Sequence, residues 1–194
     1  MVESAIKAAA VDLDQEVELV ERAQSGDRDA FTALVDRYWR ILRGWLTGAC
    51  RDRHLAEEIA QEAFVNAWSK LPMLKDNRSF RVWLFRIARN LMLMRLRATR
   101  ETRHAALPQT VADHQSSPDA EAMTAEAMTA LGNAVRELAE PYRTAYLLWS
   151  QGEMAFGEVA AVLEITEENA RFRVCRARQM LVKQLNAFLE TPAP

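Results

Sequence analysis

Cysteine is scarce in this chain. Cys50 and Cys175 lie far apart and in no CxxC pair, so neither a disulfide framework nor a zinc site has the ligands it needs. The histidines, His54, His104 and His114, show no ligand spacing to one another or to cysteine and read as surface residues. Gly-rich phosphate loops, Ser-His-Asp arrangements and HExxH motifs are missing too. A catalytic reading therefore has no residues to stand on, and neither a cofactor nor a small-molecule substrate is expected. No apolar run approaches membrane-spanning length. The first 25 residues carry six acids against Lys7 and Arg22, without the apolar core of a signal peptide. A cytoplasmic protein with no direct membrane insertion is the resulting expectation. With only 6 Gly and 6 Pro in 194 residues, the turn-rich spacing of an all-β protein is excluded.

What the chain does have is 49% hydrophobic residues, with Ala, Leu, Arg and Glu prominent, a composition that favours packed helices. The net charge of -2 hides strong segregation. Eight arginines and a single acid, Glu101, fall between Arg78 and Arg103, whereas residues 104–135 contain no Lys or Arg but hold Asp113, Asp119, Glu121 and Glu126. A second basic cluster follows at Arg171, Arg173, Arg176, Arg178 and Lys183. Two basic segments around an acidic, Pro- and Ser-containing stretch suggest two nucleic-acid-facing modules on a linker.

Helical periodicity marks the elements. A short helix is expected over 15–25, stopped by Gly26, with Asp27 as N-cap of the next. In that second helix Phe31, Leu34, Val35, Tyr38, Leu42, Trp45 and Leu46 form one apolar face. A third, 55–71, buries Leu55, Ile59, Ala63, Ala67 and Trp68; a fourth, 79–99, turns Phe80, Trp83, Leu84, Ile87, Leu91 and Met94 inward. Periodicity disappears over 104–119, the expected flexible linker, where Pro108, Ser116, Ser117 and Pro118 occur. Helices over 120–139 and from Pro141 to near Gly152 follow, with Met123 and Met128 read as core filling. The last pair, 156–163 and a long helix capped by Thr166, buries Ala170, Val174, Ala177, Leu181 and Leu185. The fold class expected is all-α: a domain over 1–103, a linker over 104–119 and a domain over 120–194 that contains a helix-turn-helix.

Three surfaces carry functional signal. In the helix-turn-helix, Glu168, Phe172, Cys175, Arg176 and Gln179 lie opposite the buried stripe, with Arg171 and Arg178 on its flanks, the placement a major-groove helix needs. A bidentate Arg–guanine contact supplies roughly 1–3 kcal/mol of discrimination. In the fourth helix Arg86, Arg89, Arg97 and Arg100 fall within roughly 80° of arc, aimed at a phosphate backbone. The loop before it, Lys75, Asp76, Asn77, Arg78 and Ser79, offers groups suited to an unstacked base. In the third helix Glu57, Glu58, Gln61, Glu62 and Val65 share one side, suited to steering a basic partner. Pattern alone also admits solvated faces in an ordinary bundle for all three.

Three segments in order, AEEIAQEAFVNAW (56–68), FRVWLFRIARNLMLMRLR (80–97) and FGEVAAVLEITEENARFRVCRARQML (156–181), resemble the extracytoplasmic-function, or group IV, sigma factors of the sigma-70 family. The similarity spans about 19–185. It implies a transcription initiation factor, not an enzyme, that binds the beta-prime coiled-coil and beta flap of core RNA polymerase. The polymerase-binding residues it implies are Glu57, Glu58, Gln61 and Glu62. Lys75, Asn77, Arg78, Ser79, Arg86, Arg89, Asn90, Arg97 and Arg100 are the residues implied to read and open the minus-10 element. Arg171, Phe172, Cys175, Arg176 and Arg178 are implied to read minus-35. Control by an anti-sigma factor is a further implication. Departures from the family pattern are Met94 in place of Asp or Asn, Asn169-Ala170 for Gly-Thr or Thr-Val, Phe172 for a small polar residue, and Glu164 in place of the turn glycine, which demands a left-handed or altered backbone. Elements about 17 base pairs apart lie nearly 60 Å apart, farther than a free linker of some 16 residues spans on average, about 20–25 Å, so polymerase must fix their separation.

Overall fold

A computed structural model describes the backbone of residues 2–103 and 120–190 and the side chains of 13–98 and 129–186. The linker expected over 104–119, His104, His114 and the side chains of Arg100, Met123 and Met128 lie outside the described residues. Eight α-helices are described: α1 (Val2–Gln24), α2 (Arg28–Cys50), α3 (Arg53–Lys70), α4 (Phe80–Arg103), α5 (Ala120–Glu137), α6 (Glu140–Ser150), α7 (Phe156–Leu163) and α8 (Glu167–Glu190). Two short 3-10 turns, Leu71–Met73 and Asn77–Ser79, bridge α3 to α4. Strand is absent among the described residues, as the composition predicts.

Local chemistry sets the helix ends. Asp27 accepts from the Asp29 and Ala30 amides at 3.0 and 3.1 Å, opening α2, and Asp52 accepts from the Leu55 amide at 3.1 Å, opening α3. Helix α1 runs much further back than the segment expected over 15–25, because no proline or glycine interrupts the alanine-rich stretch before it.

Helices α1 to α4 form one lobe. Trp45 and Phe85 meet with ring centroids 5.4 Å apart, and Tyr38 and Phe80 at 5.8 Å, in a core that also holds Leu34, Leu42, Ile59 and Leu84. Truncating a fully buried aromatic such as Trp45 costs about 3–5 kcal/mol, so this cluster dominates the lobe's stability. The buried arc of α4 differs from the periodicity reading. Phe85, Ala88 and Met92 are buried with Phe80 and Leu84, Trp83, Ile87 and Leu91 are half-buried, and Met94 is 53% exposed. The cause is packing on two sides: α4 touches α2 and α3 on one flank and α7 on another, which widens and rotates its apolar arc. In α3, Leu55 and Trp68 are likewise only half-buried, while Ala56, Ala60 and Phe64 go fully inside.

Helices α5 to α8 form the second lobe, where Ala134, Leu138, Ala177 and Leu181 are buried together. The two lobes also pack against each other, α6 on α2 and α7 on α4. Leu147 of α6 seats on Gly48 of α2, where an added Cβ would lie 2.7 Å from Leu147 Cδ1. Buried Arg143 of α6 donates to the Ala49 carbonyl at 3.2 Å, near the C-terminus of α2 where a cation is favoured, and to the Leu138 carbonyl at 2.8 Å. Arg51 reaches back to the Arg136 carbonyl.

Candidate polymerase and nucleic-acid interfaces

Helix α7 is short because its start and stop are both written locally. Glu158 accepts from the Ala155 amide at 2.9 Å, and Val159, Ala160, Val162 and Leu163 go inside. It ends where Glu164 adopts φ 57° and ψ 45° and the Ile165 amide closes onto the Ala160 carbonyl at 3.1 Å. Thr166 then accepts from the Asn169 amide at 3.2 Å and starts α8. The left-handed backbone demanded by a non-glycine turn residue is therefore present, at Glu164 itself.

Ala170, Val174, Ala177 and Leu181 anchor α8, which leaves Arg171, Phe172, Cys175, Arg176 and Arg178 exposed, with Phe172 at 60%. The arginines differ in freedom. The Arg171 guanidinium lies 5.0 Å over the Phe156 ring and pairs with Glu167 at 3.2 Å, and that of Arg178 lies 5.4 Å over Trp149. Stacking occupies the face of the cation and leaves its in-plane N–H groups available for hydrogen bonds.

The Lys75 to Ser79 loop is braced from behind. Gln24, at the end of α1, donates to the Leu71 and Leu74 carbonyls at 3.1 and 2.8 Å. Asp76 accepts from the Arg78 amide at 3.1 Å, and the Ser79 hydroxyl donates to the Asp76 carbonyl at 2.6 Å. Lys75 and Arg78 are exposed and Asn77 half-buried, so the loop offers cations and an amide around a self-bonded Ser79. Met73 is exposed beside it. Gln24 escaped the sequence reading, since nothing in a helical pattern shows which loop a helix end will meet.

On α4, Arg86, Asn90 and Arg97 are exposed, but the Arg89 side chain is only 19% exposed. The strip does not face solvent alone. Arg86 donates to Glu164 at 3.0 Å and Arg89 at 3.3 Å, and Arg81 pairs doubly with Glu158. Together the two arginines hold the Glu164 carboxyl below its ordinary range. A groove of about 550 Å³ lies alongside, lined by Arg89, Asn90, Leu93, Met94, Arg97 and Glu164.

On α3 the acidic side divides. Glu57 pairs with Arg43 of α2 at 2.9 Å and with Arg53 at 3.4 Å, and Glu62 with Arg95 of α4 at 2.7 Å; both are half-buried. Arg43 foremost, then Arg53, holds the Glu57 carboxyl below its ordinary value. Glu58 and Gln61 stand exposed between them, next to Val65 at 66% exposure. Elsewhere Cys50 is half-buried and its thiol pushed up to about 12 by burial, whereas Cys175 is exposed on α8.

These surfaces coincide with known sequence patterns. Sigma-70 region 2 matches residues 34–102 and Sigma-70, region 4 matches residues 128–181. The ECF RNA polymerase sigma factor SigW of Bacillus subtilis is 30% identical over 177 residues, covering 86% of this chain and 94% of that protein. The chain belongs to the ECF group of the sigma-70 family. The RNA polymerase sigma-H factor of Pseudomonas aeruginosa is 29% identical over 187 residues, 91% of this sigma factor and 96% of its relative. Among solved structures, CnrH in complex with the cytosolic domain of CnrY is similar with a TM-score of 0.66 and 26% identity, covering 89% of this chain and 98% of that one. The sigma factor RpoE from Bartonella quintana, in complex with the anti-sigma factor NepR, shares the fold with a TM-score of 0.67 at 23% identity over 80% of this chain and 96% of that one. As a sigma factor the protein directs core RNA polymerase to promoter DNA and initiates transcription there. No helix among the described residues is long and apolar enough to cross a membrane.

Proposed function

We propose that this sigma factor works through a domain over 1–103 and a domain over 120–194, each with a separate DNA contact. Glu58 and Gln61 are the centre of the polymerase-docking ridge, since they are the members of the α3 group left exposed while Glu57 and Glu62 are spent on Arg43 and Arg95. Lys75, Asn77 and Arg78 meet the minus-10 element at the loop, Ser79 shapes that loop, and Arg86, Arg89, Asn90, Arg97 and Arg100 follow the phosphates. Arg171, Phe172, Cys175, Arg176 and Arg178 enter the major groove at minus-35. The observation that carries this reading is α8: Ala170, Val174, Ala177 and Leu181 anchor one face, with Leu185 only half-buried, and the opposite face joins cations to an exposed ring on a helix-turn-helix. The role is to position DNA and neutralise its phosphates, which asks no proton transfer or nucleophile of the chain, in keeping with a non-enzymatic role. The CnrH and RpoE complexes support control of this chain by a protein of the anti-sigma kind.

Run-off transcription with purified core enzyme on a matched promoter tests the assignment. Arg176→Glu should abolish dependence on the minus-35 sequence, and Arg97→Glu should weaken binding at all sequences and flatten its salt dependence. Unchanged promoter use by both variants would overturn it.

A further inference from the structure

We propose that the free sigma factor closes on itself, with Glu164 acting as an internal stand-in for a DNA phosphate on Arg86 and Arg89. The proposal rests on the assignment of those two arginines to the minus-10 contact. Their guanidinium groups converge on one carboxylate, at 3.0 and 3.3 Å, from 78 and 75 residues away in the chain. Each guanidinium gives one N–H to the carboxylate, so Glu164 takes a donor and neutralises a charge that a phosphate oxygen would otherwise use by the same charge-assisted geometry. Glu164 reaches this place from the tip of the helix-turn-helix, in a left-handed backbone conformation that a glycine would adopt more readily.

Besides the Arg143 and Arg51 contacts to backbone carbonyls, a second ion pair and a close packing hold the lobes in that register. Arg81 and Glu158 pair across the α4–α7 junction, and because Glu158 also accepts from the Ala155 amide, the same carboxylate starts α7 and fastens it. At the other end Leu147 sits directly on α2 because Gly48 has no side chain; the three atoms nearest to an added Cβ all belong to Leu147. The closed form packs α6 and α7, the helices that support α8, against the lobe they must part from, since promoter elements are nearly 60 Å apart when both are engaged. The ion pairs are part-exposed and screened by salt, while Leu147, Leu148 and Val159 join the apolar core of the first lobe, so polymerase and DNA must offset both to open the form, and apparent DNA affinity is lowered by the fraction that is open.

Two single variants of the full chain test this by different routes. Glu164→Gly removes the carboxylate but suits the backbone. Gly48→Leu leaves every charge in place and blocks the seat of Leu147. Small-angle X-ray scattering of the free proteins and fluorescence anisotropy with a labelled mixed-sequence duplex are the readouts. The expected result is a compact wild type, a larger radius of gyration for both variants, and a gain in duplex affinity of about three- to tenfold for both. Scattering unchanged in both variants would overturn the closed state. Expansion without a gain in affinity would overturn the masking, and a gain from Glu164→Gly alone, without expansion, would reduce it to local repulsion of DNA by one acid. Run-off transcription separates this from the underlying assignment: wild type that supports promoter-dependent transcripts while Arg86→Ala and Arg89→Ala, each made in the Glu164→Gly background where no latch is lost with them, leave duplex binding intact shows that the arginine assignment has failed rather than the latch.

Discussion

Charge reversal at Glu58 is the sharpest test of the docking ridge, because the structure distinguishes it from Glu57 one position earlier. Glu58 is exposed, so its interaction with a cation on core polymerase is felt largely through water. At about 5 Å in bulk water one unit charge contributes about 0.8 kcal/mol, and Glu58→Lys changes two units, giving about 1.7 kcal/mol or roughly a 15-fold loss of affinity at low salt. The loss should shrink as salt is raised and should fall mainly on the association rate. Glu57→Gln behaves differently: it removes the negative charge that Arg43 and Arg53 share, leaving only a neutral carbonyl acceptor, so melting temperature falls while affinity for core enzyme stays within about twofold. Biolayer interferometry against immobilised core polymerase at two salt concentrations, with thermal melts of each variant, gives both quantities. Wild-type affinity in Glu58→Lys alongside a large loss in Glu57→Gln would refute the division drawn on α3.

Phe156→Leu keeps apolar bulk but removes the ring beneath Arg171, so a double-mutant cycle with Arg171→Ala on minus-35 duplex affinity should show coupling of about 0.5–1 kcal/mol, roughly two- to fivefold; strictly additive losses would show that the stacking contributes nothing to recognition. Acid should weaken the first lobe through Asp27 and Glu57, whose carboxyls are held low in the folded state, Asp27 chiefly by the Ala30 amide and then by Arg22. Depressed folded values mean that this stabilisation is complete above the ordinary carboxylate range, about pH 4, and is lost as pH falls through the folded values. Melts of Asp27→Asn and Glu57→Gln between neutral pH and about pH 3 should therefore change less with pH than wild type; equal slopes would contradict the assignment.

Local signals were legible from the sequence wherever the physics is local. Asp27 and Thr166 cap the helices their positions suggest, and 156–163 is a helix with the bounds its turn residues mark. The left-handed turn at Glu164 was readable for the same reason. What could not be read is whatever depends on a second surface. Met94 fits an inward stripe by spacing yet lies exposed, and Phe85 is buried off the stripe, because α4 is covered from two directions. Likewise the arginine strip looked wholly solvent-facing until its carboxylate partners arrived from more than 70 residues away. The acidic ridge was visible as a face, but only the placement of Arg43 and Arg95 shows which of its acids are already engaged.

The contrast between the two cysteines has a practical side. Half-buried Cys50, its thiol pushed up to about 12, holds almost no reactive thiolate at neutral pH, while Cys175 stands open on the face assigned to the DNA groove. The native chain thus offers one chemical handle at the spot where a spectroscopic label would sense promoter engagement, with no residue engineered in to create it.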